Sequence, residues 1–116
     1  MAEPQSEQDG ALLLDMLIAA RDARAFTEGL DETAFVASRL HQNAVIRSLE
    51  IIGEAAGKVS PAFRETQSAI PWRENTGMRH RLIHGYAEVR LDLVWQVVGE
   101  RLGPLIAALE RLVPDG

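Results

Sequence analysis

The chain has 116 residues, with 17 acidic against 12 basic side chains, a formal net charge of −5 at pH 7 and no cysteine. This excludes disulfides, thiolate metal sites and cysteine nucleophiles, and any polyanion-binding surface must be a local patch. With 47% apolar and 25% charged residues, and no apolar run near the roughly 20 residues that cross a bilayer, the composition is that of one globular domain.

Residues 1–10 are polar and acidic, without an apolar signal core. They read as a flexible tail ahead of a helical-bundle domain over 11–116, with no membrane segment and a cytoplasmic setting expected. A first helix is predicted from about Ala11 to Glu28, with Leu12, Met16, Ala19, Ala23, Phe26 and Leu30 as one apolar stripe. Gly29 is a stop signal, and Asp31 can cap a short turn through Phe35. A second helix runs from about Ser38 to Val59, its main stripe being Val45, Leu49, Ile52, Ala56 and Val59. Ala44, Ile51 and Ala55 widen that stripe, so this helix is expected to be central or to meet a second subunit as well. Gly53 and Gly57 each cost about 1 kcal/mol inside a helix relative to alanine. Their spacing lets another helix approach closely; the alternative is that they only weaken or end the helix.

Ser60-Pro61 is an N-cap and first-turn pair for a short helix. Ile70-Pro71-Trp72 opens the next helix, which ends near His84-Gly85. A final helix is predicted from Leu91 or Asp92 to Val113, lined by Val94, Val98, Leu102, Leu105, Leu109 and Leu112. Pro104 cannot donate the helical hydrogen bond, so a kink is expected near Gly103. No strand or repeat is evident. The predicted fold is all-α, an antiparallel bundle of four main helices with one or two short ones.

The chemistry concentrates in residues 72–90, where Arg73, Arg79, Arg81 and Arg90 face Glu74 and Glu88. Within it, Arg79 and His84 form an Arg-x4-His-x-Tyr pattern with Tyr86. An arginine fork matches two phosphate oxygens, and a histidine moves protons near neutral pH. These groups suit metal-free RNA cleavage, in which the 2′-hydroxyl attacks phosphorus and leaves a 2′,3′-cyclic phosphate and a 5′-hydroxyl. Arg73 and Arg81 are candidates for holding further phosphate, and no cofactor is expected. On an ideal helix Arg79 and His84 lie about 140° apart, so the imidazole turns back toward the guanidinium only if the helix ends near His84. His80 and His84 would share a face on a continuous helix, but no third metal ligand is evident. An arginine and a histidine near a helix end more often just cap carbonyls or form salt bridges, so spacing alone is a weak signal for catalysis. One motif supplies one acid–base histidine, and a symmetric dimer would bring two sets into one cleft. Arg47, Glu50 and Glu54 lie on one side of the second helix, either as a solvated ion-paired stripe or as a device that orients Arg79.

Beyond the motif, the chain carries Leu12-Leu13-Leu14-Asp15-Met16 and the run from Asn43 through Glu50-Ile51-Ile52-Gly53-Glu54 to Ala56. It continues with Ile70-Pro71-Trp72-Arg73, Gly77-Met78-Arg79, Leu82-Ile83-His84-Gly85-Tyr86 and Leu91-Asp92-Leu93-Val94-Trp95. In this order they closely resemble the HepT-like HEPN proteins, the toxin half of prokaryotic HEPN/MNT toxin–antitoxin pairs. The resemblance implies an all-α HEPN bundle, a homodimer and a metal-independent endoribonuclease with Arg79 and His84 as catalytic residues. It implies a minimal nucleotidyltransferase (MNT) antitoxin as partner, which transfers AMP from ATP to Tyr86. Relatives often have asparagine where this chain has His80, which is therefore either an auxiliary acid–base group or an RNA contact. The alternative is a non-catalytic dimer that binds nucleotide or RNA and serves the nucleotidyltransferase as scaffold or substrate.

Overall fold

The computed structural model describes residues 7–84 and 90–113, with the side chains of Ile83 and His84 outside that description. Seven helices and no strand occur among these residues: α1 (Glu7–Thr27), α2 (Glu32–Val36), α3 (Arg39–Lys58), α4 (Pro61–Thr66), α5 (Trp72–His84), α6 (Leu91–Glu100) and α7 (Leu102–Leu112). The all-α expectation holds, and no described helix is long and apolar enough to cross a membrane.

α1 starts four residues before the predicted Ala11, so residues 7–10 belong to the helix rather than to the expected tail. The reason is Asp9, which is buried. Its Oδ1 accepts from the Ser60 backbone N–H at 2.9 Å and its Oδ2 from the Ser60 hydroxyl at 2.6 Å, tying the first turn to the α3–α4 corner. Residues 1–6 lie outside the described residues. The buried face of α1 also differs from the predicted stripe. Leu13, Met16, Leu17, Ala20 and Ala23 are fully buried, whereas Phe26 is 40% exposed. Thr27 goes inside in place of Phe26, its hydroxyl donating to the carbonyls of Ala23 and Arg24. Residues 11–20 are apolar at almost every position, so their pattern did not fix the helix phase.

The start and stop signals act as the sequence suggests. Gly29, with φ +80°, follows α1 in the left-handed region that glycine enters without a Cβ penalty. The Asp31 carboxylate accepts from the Ala34 N–H at 2.8 Å and caps α2. Ser38 caps α3 through the His41 N–H, and Ser60 caps α4 through the Phe63 N–H, with Pro61 in the first turn. The predicted fourth main helix is two helices. Pro104 has no N–H, and its ring crowds the carbonyl of Glu100, four residues earlier. The helix therefore breaks at Arg101 (φ −108°, ψ −27°) instead of bending near Gly103.

α3 is central, packing against α1, α5 and α2. All five residues of its predicted stripe are buried: Val45, Leu49, Ile52, Ala56 and Val59. α7 closes the other side of α1, and α6 lies against α7 and α2. The rings of Phe35 and Trp95 tie α2 to α6 with centroids 5.3 Å apart. The molecule measures 42 × 29 × 19 Å, so its thinnest dimension is about two helix diameters. With only two layers, α5 has one face on α3 and the other open.

Candidate active site at the crossing of α3 and α5

α5 crosses α3 tightly at Gly53. A Cβ on that residue would lie 2.4 Å from Arg79 Cβ and 2.7 Å from the Asn75 carbonyl oxygen. Neither atom is the end of a flexible side chain, so only glycine fits here. One turn further, Gly57 is less crowded, its nearest neighbour being Thr76 Cγ2 at 3.5 Å. Of the two readings of these glycines, close helix approach is correct at Gly53. The crossing seats the backbone of Arg79 directly on α3 and aims its side chain along the α3 surface.

The guanidinium of Arg79 meets the Glu54 carboxylate at 3.8 Å (Nη2 to Oε2), with the arginine side chain 40% exposed. The same carboxylate receives Lys58 Nζ on its other oxygen at 3.3 Å. Glu54 therefore sits between two cations. A separation of 3.8 Å is too long for a hydrogen bond. An exposed pair of this kind contributes at most about 1 kcal/mol. The carboxylate steers the guanidinium without saturating it. Arg79 Nε is buried without a partner among the described residues, as is Asn75 Nδ2 one turn earlier on α5. The groove beside Arg79, about 370 Å³, is lined by Gly53, Glu54, Gly57, Lys58, Thr76 and Arg79. It combines an accessible arginine fork and a lysine, which together suit a phosphate.

Of the other residues singled out in the sequence, His84 is the last described residue of α5, and the helix end expected near His84-Gly85 lies outside the described residues. Its imidazole, like all of Tyr86, lies outside the described residues. His80 and Arg81 are exposed on α5, and neither lines the Arg79 groove. Arg73 is exposed near the start of α5 and lines a separate depression with Arg64 and Trp72. Arg90 is occupied by Asp92, with Nη2 2.7 Å from its carboxylate, so its charge is largely neutralised locally. The Arg90 hydrogen bond holds the Asp92 carboxyl below the ordinary carboxylate range.

Sequence reasoning set Glu54 down chiefly as part of a solvated stripe, and it missed Lys58 and Arg64. For Lys58 a signal existed, since it stands four residues after Glu54 on one helix, the spacing of an ion pair. Nothing in the pattern pointed to Arg64, which reaches the α5 surface only because the α3–α4 corner turns there.

The chain matches the family model described as ribonuclease HepT-like over residues 16–112. It is 41% identical over 90 residues to the protein named "Putative RNase MJ1380" of Methanocaldococcus jannaschii, covering 78% of this chain and 83% of that one. It is 39% identical over 87 residues to a "Probable ribonuclease HepT" of Thermococcus cleftensis, covering 75% of this chain and 79% of the relative. No solved structure matches it significantly. The match over 16–112 spans all of the α3–α5 crossing and most of the bundle, and on it the chain belongs to the HepT-like family of HEPN ribonucleases.

Proposed function

We propose that this protein is a metal-independent endoribonuclease and the toxin of a HEPN/MNT pair, with Arg79 and His84 as its catalytic residues. The observation that supports the reading best is the accessible Arg79 guanidinium, tethered by Glu54 at 3.8 Å in a groove also lined by Lys58. It stands on α5 five residues before His84.

In the proposed reaction His84 takes the proton from a ribose 2′-hydroxyl. The 2′-oxygen bonds to phosphorus, the bond from phosphorus to the 5′-oxygen breaks, and that oxygen leaves with a proton. Arg79 binds the non-bridging oxygens and stabilises the charge that builds on them in the transition state. The products are a 2′,3′-cyclic phosphate and a 5′-hydroxyl. A homodimer would supply a second His84 as the acid; His80 is the other group of suitable chemistry. Among the apolar side chains left for such an interface are Ile18, Val36 and Leu40, the last 76% exposed.

The proposed antitoxin is a minimal nucleotidyltransferase that moves AMP from ATP to Tyr86. The phosphate it adds two residues from His84 would compete with RNA for the same donors. Expression in a bacterial host tests the pair. Wild-type protein should arrest growth, and Arg79→Ala or His84→Ala should not. Incubation with the partner and ATP should add the mass of AMP to wild type and none to Tyr86→Phe. Growth arrest by an Arg79→Ala/His84→Ala double variant equal to that of wild type would overturn the assignment.

A further inference from the structure

Thr76 lines two depressions at once. One is the Arg79 groove. The other, about 440 Å³, lies between α4 and the start of α5 and is lined by Pro61, Arg64, Glu65, Trp72, Arg73 and Thr76. Together they form a trough that carries Lys58, Arg64, Arg73 and Arg79 against only Glu54 and Glu65. In a molecule of net charge −5, such a local excess of cations is the kind of surface that attracts a polyanion.

The cations at the two ends differ in how they are engaged. Lys58 and Arg79 share Glu54. Neither Arg64 nor Arg73 is ion-paired to any described residue, although Glu65 stands next to Arg64. Arg64 is half-buried, its Nε is enclosed without a partner among the described residues, and its side chain lines the depression. Trp72 forms a fixed wall, its indole N–H donating to the Gln67 carbonyl at 3.0 Å. A guanidinium pair in a shallow depression suits a phosphodiester; the Thr76 hydroxyl already donates to the Arg73 carbonyl at 3.1 Å.

We propose that this second depression is a phosphate subsite, in which Arg64 and Arg73 hold a backbone phosphate of the RNA flanking the one at Arg79. The strand then lies along α5 and passes Thr76 between the two sites. This inference rests on the ribonuclease reading. It adds a residue on α4 that the catalytic motif does not include.

The test is binding of a fluorescein-labelled, fully 2′-O-methylated RNA dodecamer, which lacks the nucleophile and stays intact, followed by anisotropy from 50 to 200 mM salt. The variants are Arg64→Gln/Arg73→Gln and a charge-matched control, Arg24→Ala/Arg39→Ala, whose two residues are exposed and outside the trough. The subsite variant should bind about tenfold more weakly than wild type. Its dependence of log K on log salt should be shallower by about 0.7 for the one phosphate released. The control should lose much less. If the double variant does not fold by circular dichroism, the exposed Arg73→Gln alone should show part of the same loss. Wild-type binding matched by the subsite variant, or a loss matched by the control, overturns the subsite while the ribonuclease reading stands. Failure of wild type to bind the dodecamer overturns both.

Discussion

The contact of Arg79 with Glu54, which the proposed mechanism uses to orient the guanidinium, carries little energy. At 3.8 Å and partly exposed, the pair adds at most about 1 kcal/mol to folding, but it removes directions in which the guanidinium would otherwise point. Glu54→Gln should therefore leave the urea midpoint almost unchanged, with a stability change of about 0.5 kcal/mol or less. It should lower kcat on RNA about tenfold, while KM stays level or falls because a competing carboxylate charge has gone. A rise in KM with kcat unchanged would show that Glu54 shapes substrate binding and not the orientation of Arg79. Asp9 lies at the opposite energetic extreme. It is buried and accepts from both donors of Ser60. Asp9→Ala should cost about 1–3 kcal/mol in urea unfolding, with RNA cleavage by the folded fraction retained.

At the level of elements, the α3–α5 crossing decides whether there is a site. Gly53→Ala would place a methyl 2.4 Å from Arg79 Cβ and 2.7 Å from the Asn75 carbonyl. α5 must then move, so stability should fall by about 2 kcal/mol or more and cleavage should fall with it. Gly57→Ala meets only Thr76 Cγ2 at 3.5 Å, and the helix-propensity gain should leave it neutral to about 1 kcal/mol more stable. Denaturation of the two variants side by side checks the asymmetry. Much of the element plan was legible in the sequence because it rests on local chemistry. The Asp31 cap, the Ser60-Pro61 start and the buried face of α3 each depend on a few neighbouring residues. The phase of α1 was not legible, because apolar residues surround the helix between Leu12 and Ala20. Pro104 announced a disruption, but its site follows from the carbonyl four residues back, which put the break at Arg101.

Across the whole molecule, the proposed site reconciles an acidic chain with RNA chemistry by segregating charge. The net charge is −5, yet the trough along α5 gathers four cations and two carboxylates. That segregation was not legible in the sequence. Lys58, Arg64 and Arg79 come from three helices, and only the turn between α3 and α4 and the glycine crossing bring them to one surface. The motif that proposes Arg79 is contiguous in the chain, whereas Glu54, the carboxylate beside it, lies 25 positions earlier. RNA cleavage should slow steeply as salt rises, since each phosphate contact displaced by cations contributes a log–log slope of about 0.7. The most direct test is to incubate purified wild-type, Arg79→Ala and His84→Ala proteins with total RNA in EDTA and map the ends. Cleavage by wild type alone, leaving 2′,3′-cyclic phosphates and 5′-hydroxyls, is the predicted result. Equal cleavage by all three, or cleavage that disappears from wild type in EDTA, would contradict the account.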